Sequence, residues 1–169
     1  MATFGNTGTF TLHTDGIGGG YILGQKFALT ENGTITDIRF YHAQPNSPQT
    51  IRLAIYDDAI GDSGHAHNHL KCETIELTGN VAAEWTTGAI SPGVPLTAGN
   101  YWIVALSNQD FNLYYSGSGS NPYYGAQAYG AFPATFVGPS SPLSYANFPI
   151  YATYSVAGAT NVIYMIFES

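Results

Sequence analysis

Charge is what this 169-residue chain has least of. Asp, Glu, Lys and Arg together make up 9 % of it, against roughly 25 % in ordinary soluble domains. The basic side chains are Lys26, Arg39, Arg52 and Lys71, and the net charge is -7. Phosphate recognition needs clustered Lys and Arg, so nucleic acid is excluded as a partner. An anionic membrane surface is excluded on the same ground. Cysteine is nearly missing too: Cys72 stands alone, so no intrachain disulfide forms. A chain of this length buries enough core to do without one, so export remains open. No apolar run is long enough to span a bilayer, which argues against membrane insertion. Helix signals are absent as well, since no window carries an apolar 3.6-residue period with a cap at each end. The opening Met1-Ala2-Thr3 shows no leader pattern. A removed leader or a longer parent protein is the expectation.

What the chain does have is turn clusters every ten residues or so, the spacing of an antiparallel sandwich or barrel. Between them lie runs of β-branched and aromatic residues. The clearest is Tyr101–Leu106, which follows a turn at Gly99-Asn100 and is apolar on both faces. Such a strand is central in its sheet or covered on both sides. Phe4–Leu12 reads as one or two strands broken at Gly8, and Asp15–Gly20 as a Gly-rich loop. Strands are expected at Tyr21–Leu29 and, after a turn at Glu31-Asn32-Gly33, at Ile35–His42. In the latter, Ile38 and Phe40 share one face while Asp37, Arg39 and Tyr41 share the other. Thr50–Tyr56 alternates Ile51, Leu53 and Ile55 inward with Arg52, Ala54 and Tyr56 outward. Pro45–Pro48 and Asp57–Asn68 read as loops. Leu70–Leu77, Trp85–Ile90, Phe111–Tyr115, Phe148–Val156 and Val162–Phe167 read as further strands, and the Pro-rich stretch after Ile90 as a connection. The terminal Val162–Phe167 is too apolar for an exposed edge. It belongs at a sheet centre or in an oligomer interface. The expected fold is a single all-β domain over 1–169: an antiparallel β-sandwich, jelly-roll-like, with a long irregular loop at 116–145.

Several short motifs run in one order: Phe4-Gly5, Gln25-Lys26-Phe27, Ile35 to Tyr41 as Ile-x-x-Ile-x-Phe-Tyr, Arg52 to Asp57 as Arg-Leu-Ala-Ile-Tyr-Asp, and Leu96 to Trp102 as Leu-Thr-x-Gly-x-Tyr-Trp. Their order resembles that of bacterial accessory β-sandwich domains found beside secreted polysaccharide-acting enzymes and in surface proteins. The resemblance covers residues 4–115 and the last strands. It implies a non-catalytic, secreted, glycan-binding module.

Candidate sites follow from residue chemistry. Sugars present apolar C–H faces, on which flat rings stack, and hydroxyls, which amides and carboxylates bind. Tyr also gives large contact area at low entropy cost. Tyr114, Tyr115, Tyr123, Tyr124 and Tyr129 crowd the segment after Leu106, with Phe132 beyond them and Asn108, Gln109, Asp110, Asn112 and Asn121 as polar partners. The competing reading is that these rings pack over the sandwich and hold a long loop down. Trp85, at a strand start, is a further candidate ligand-binding residue, whereas Trp102 belongs to the core. Asp57, Asp58 and Asp62 have the composition of a calcium loop without the spacing of an EF-hand. A structural Ca²⁺ is their candidate ligand, and ordinary turn chemistry is the other account of them. His65, His67 and His69 would line one side of a strand about 6–7 Å apart, where two of them could bind Zn²⁺ or Ni²⁺; a solvated loop tip is the preferred reading. No Gly-x-Ser-x-Gly, phosphate loop or placed carboxylate pair is present, so an enzyme is not expected. The expected function is polysaccharide binding outside the cell, beside a catalytic domain. A structural or receptor-binding piece of a phage, virus or surface assembly, working as a homo-oligomer, is the alternative.

Overall fold

A computed structural model describes residues 1–17, 19–43, 49–59, 68–117, 123–136, 141–142 and 147–156. Among the described residues every regular element is a strand, and the strands form two antiparallel sheets packed face to face. In chain order they are β1 (Ala2–Gly5), β2 (Leu12–Ile17), β3 (Tyr21–Leu29), β4 (Gly33–Ala43), β5 (Thr50–Asp57), β6 (Asn68–Glu73), β7 (Leu77–Thr78), β8 (Glu84–Leu96), β9 (Gly99–Ser107), β10 (Phe111–Tyr115), β11 (Tyr123–Ala126), β12 (Thr135–Phe136), β13 (Ser141–Pro142) and β14 (Ile150–Val156). One sheet runs β8–β4–β14–β1. Beyond Phe40, β10 replaces β14 beside β4, and β2 lies outside β10. The other runs β13–β11–β3–β9–β5–β6–β12, with β7 pairing the start of β5. Without the short additions, the chain crosses between the sheets in the order that makes two Greek keys, β1–β14–β4–β8 against β3–β9–β5–β6. That is a jelly roll.

The core lies between the sheets. Ile35, Ile38 and Phe40 from β4 meet Ile51, Leu53 and Ile55 from β5 and Ile103 and Ala105 from β9, all fully buried. Several of the short sequence motifs have structural reasons here. Gln25 is buried; its amide donates to Asn147 Oδ1, and its Oε1 accepts from the Phe148 N–H at 3.2 Å. It therefore ties β3 in one sheet to the entry of β14 in the other. The Tyr101 hydroxyl donates to the Thr97 carbonyl at 2.9 Å and fixes the turn before β9. Phe4 packs edge-on against Tyr101 and Tyr154.

A second apolar cluster lies outside the β3–β9–β5 sheet. Ile22, Ala54, Tyr56, Val104 and Leu106 are buried there beneath Phe132, with Leu70, Trp102 and Tyr129 at the margin. The covering chain is the stretch 127–135. It is fastened by the Tyr56 hydroxyl donating to the Pro133 carbonyl at 2.7 Å and by the Leu70 N–H donating to the Ala134 carbonyl at 3.0 Å. This explains why β9 is apolar on both faces. It also corrects the expected outward face of β5: Ala54 and Tyr56 are fully buried under the cover. Further expectations change: residues 6–11 carry no strand, and the expected loop at 116–145 contributes β11, β12 and β13. Asp15–Ile17 belongs to β2 rather than to a loop, Leu70–Leu77 divides into β6 and β7, and Ser91–Leu96 continues β8. The prolines of that last stretch are tolerated because, among the described residues, β8 pairs only with β4 and so lies at an edge. The Pro45–Pro48 loop and the Val162–Phe167 strand lie outside the described residues.

Candidate functional site

The outer face of the β8–β4–β14 sheet carries the candidate site. Alternation along β4 turns Asp37, Arg39 and Tyr41 outward, as expected from the sequence, while Ile38, Phe40 and His42 go to the core. Register does the rest. Tyr41 stands opposite Trp85 of β8, and Arg39 lies between Thr87 of β8 and Tyr151 of β14. Tyr114 of β10 stands opposite His13 of β2. Five rings from five strands therefore meet in a chain. Centroid separations are 5.4 Å for His13–Tyr114, 5.2 Å for Tyr114–Tyr41, 5.4 Å for Tyr41–Trp85 and 4.9 Å for Trp85–Tyr151. Tyr114–Tyr41 and Trp85–Tyr151 meet at 74° and 75° between planes, the edge-to-face geometry that the ring quadrupole favours, while Tyr41–Trp85 is tilted at 60°. Each ring is held by its neighbours yet stays half-buried or exposed.

Polar groups adjoin the rings. The Arg39 guanidinium lies 5.8 Å from the Tyr151 ring centroid, and its Nε donates to Asp37 Oδ1 at 2.8 Å. The Asp37 hydrogen bond, more than the opposing cost of burial, raises the guanidinium's pKa further. Thr153 Oγ1 donates to the same carboxylate oxygen at 2.9 Å. At the edge, Gly5 has φ +114°, and a Cβ there would sit 2.6 Å from the Ile150 carbonyl and from Tyr151 Cα. Glycine lets β1 pass close beside the backbone that carries Tyr151.

Among the residues singled out from sequence, Trp85 and Tyr114 come together on this face. The others do not join them. Tyr115 is half-buried at the end of β10, opposite Leu12. Tyr123 pairs with Gly24 and Pro142 through the backbone. Tyr124 packs against the sandwich core and meets Tyr21 at 5.6 Å. Tyr129 sits in the cover over the opposite sheet, its hydroxyl donating to Glu76 Oε2 at 2.9 Å. The tyrosines after Leu106 therefore do not form one platform among the described residues. Asn108 and Asp110 hold turns: their Oδ1 atoms accept from the Thr50 N–H at 3.0 Å and the Gly19 N–H at 2.8 Å. Trp102, expected in the core, is half-buried under the cover, with its Nε1 donating to Asp58 Oδ1 at 3.2 Å.

The carboxylates of the proposed calcium loop are engaged by the protein's own donors. Asp57 takes Lys71 Nζ at 2.7 Å and the His69 N–H at 2.7 Å, with His69 Nδ1 at 3.3 Å. Burial raises the Asp57 carboxyl, but these two neighbours outweigh it and hold the group below its ordinary value. Asp58 faces Lys26 at 3.4 Å. Among the described residues no group of three or more His, Cys, Asp or Glu is placed to hold a metal ion. Asp62, His65, His67 and Asn121 lie outside the described residues. Cys72 is buried, and burial pushes its thiol up to about 12.

Sequence reading missed His13, Arg39, Tyr41 and Tyr151 as site residues. Their spacing carries no motif, because strands far apart in sequence bring them together. One signal was available: the outward alternation of β4 already put Tyr41 and Arg39 on a solvent face, where a large ring is conspicuous. No protein-family model matches the chain, and no curated protein matches it.

Proposed function

We propose that the protein is a non-catalytic polysaccharide-binding module, acting outside the cell beside a catalytic or adhesive partner, and that it binds through the outer face of the β8–β4–β14 sheet. The observation that carries this reading is the chain of rings from His13 to Tyr151. Trp85 and its neighbours are large, rigid and incompletely buried on a sheet face. Edge-to-face contacts fix their orientation beforehand, so stacking on the apolar face of a sugar costs little side-chain entropy. Asp37 and Arg39 lie beside the rings with acceptors and donors for hydroxyls, and the buried Thr153 holds the Asp37 carboxylate in place. Glycoside hydrolysis needs two carboxylates flanking one bond; among the described side chains the carboxylate on this face is Asp37, already engaged by Arg39 and Thr153. That supports holding rather than cleaving.

A screen of the purified protein against soluble and insoluble polysaccharides, with and without EDTA, tests the reading. Binding that ignores EDTA and falls at least tenfold in Trp85→Ala is expected. Tyr129→Phe, altered on the opposite sheet, should bind as the parent does. No binding to any polysaccharide, or undiminished binding by Trp85→Ala, overturns the assignment. The exposure of Ile75 and Val81, 77 % and 62 %, on either side of β7 favours a second reading, an oligomeric structural or receptor-binding domain. Sedimentation as a monomer at all concentrations counts against that one.

A further inference from the structure

We infer that the glycan bound on this face is uncharged, and that the Arg39–Asp37 pair is the specificity-determining element that reads its hydroxyls. This rests on the glycan reading of the same face. The first ground is charge. The chain has four basic side chains against eleven acidic ones. Each basic group is already matched by a carboxylate: Lys26 by Asp58 at 3.4 Å, Arg39 by Asp37 at 2.8 Å, Arg52 by Glu73 at 2.9 Å and Lys71 by Asp57 at 2.7 Å. A polyuronate or a sulfated glycan would meet no excess cation on the molecule, and it would meet a net charge of -7 that repels it. The outward positions that flank the rings, Thr87, Ala89 and Thr153, are uncharged, and Arg39 with Asp37 sums to zero.

The second ground is geometry. The guanidinium engages Asp37 through Nε, at the inner corner of its fork. The planar Nη groups lie beside the Tyr151 side chain, which takes part of their donor capacity and leaves the remaining N–H groups for a ligand. On the carboxylate, Oδ1 takes both Arg39 and Thr153, while among the described residues Oδ2 has only a long contact of 3.4 Å from Thr36 Oγ1. A carboxylate has about four acceptor sites, so Oδ2 retains capacity. Donor and acceptor stand side by side. Neighbouring sugar hydroxyls, each able to donate and accept, complement that pair, whereas the carboxylate or sulfate of an anionic sugar offers acceptors alone and would face Asp37 unfavourably. Arg39 is 39 % exposed, so a ligand reaches it without unfolding the sheet.

The experiment compares neutral polymers (β-glucan, xylan, galactomannan) with polygalacturonate and alginate, each at low and high salt. Parent protein is set against Trp85→Ala, Arg39→Met and Arg39→Lys, with thermal unfolding recorded for all. Binding to a neutral polymer with an affinity that salt leaves unchanged is expected. Arg39→Met should weaken it about tenfold or more, the usual worth of a hydrogen bond to a charged group. Arg39→Lys, which keeps the charge but loses the fork, should restore only part of that. Tighter binding to the acidic polymers with a fall at high salt overturns the inference, as does parent-like binding by a folded Arg39→Met. In both of those cases Trp85→Ala still loses binding, which leaves the glycan reading standing. Parent-like binding by Trp85→Ala, or no binding to either class of polymer, overturns both.

Discussion

His42 shows how one buried residue sets a pH dependence. Its imidazole lies in the core, stacked on Phe40 at 5.0 Å and edge-on to Phe111 at 5.7 Å. Nε2 bonds Thr86 Oγ1 at 2.8 Å, and that hydroxyl oxygen also accepts from Asn80. Nδ1 has no partner among the described residues, so a proton added there would bring an unpaired charge into an apolar site. Burial accordingly lowers the imidazole from 6.5 to about 4. The unfolded chain binds this proton below pH 6.5, whereas the folded chain resists it until about pH 4. Stability should therefore be full above pH 6.5 and fall as pH drops through that window. The loss is on the order of 3 kcal/mol, at about 1.36 kcal/mol per unit. Urea midpoints across the range measure it, and His42→Leu should flatten the curve there. An unchanged slope in that variant would mean that the acid sensitivity lies elsewhere. Gly5 sets the opposite kind of constraint, on space. Gly5→Ala would put a Cβ on the Tyr151 backbone at a φ that L-residues resist. It should cost about 1–3 kcal/mol and weaken glycan binding by displacing Tyr151. A parent-like melting curve and affinity would refute that.

At the scale of the element, the stretch 127–135 behaves as a lid on the outside of one sheet. Phe132 is its anchor, buried against Tyr56 with centroids at 6.2 Å, and the Phe132 N–H donates to Glu73 Oε2 at 3.2 Å. Removing the ring exposes Ile22, Val104 and Leu106. Phe132→Ala should therefore cost about 3–5 kcal/mol, the range for truncating a buried phenylalanine. It should leave binding on the opposite sheet intact at temperatures where the variant is folded. Chemical unfolding and the polysaccharide assay, run on one sample, separate the two effects. Loss of affinity without loss of stability would place the binding site on the covered side instead. The jelly-roll elements themselves were largely legible. Tyr21–Leu29 and Phe111–Tyr115 lie where apolar runs between turn residues put them. Ser91–Leu96 was not legible as strand, because proline is read as a break and nothing local reveals that a strand will lie at an edge.

At the scale of the molecule, the two sheets are treated differently on their outer sides: one is roofed by the chain, the other displays rings. Stability and recognition should be separable as a result. Leu53→Ala, in the core between the sheets, should cost about 2–5 kcal/mol and leave affinity unchanged in the folded protein. Trp85→Ala should do the reverse. The double variant should show the sum of the two, since the sites share no partner. Coupling between them would mean that the aromatic face is part of the core. The sequence by itself determined the all-β class, the inward alternation of Ile51, Leu53 and Ile55, and the doubly apolar nature of Tyr101–Leu106. Each of these follows from local periodicity and from the cost of exposing apolar surface. Only the tertiary structure decided that Tyr56 is buried, that Tyr114 and Tyr129 part to opposite sheets, and that Trp85 meets Tyr41 and Tyr151. Those outcomes depend on which strands become neighbours. In a jelly roll the neighbours are far apart along the chain, so no local pattern encodes them.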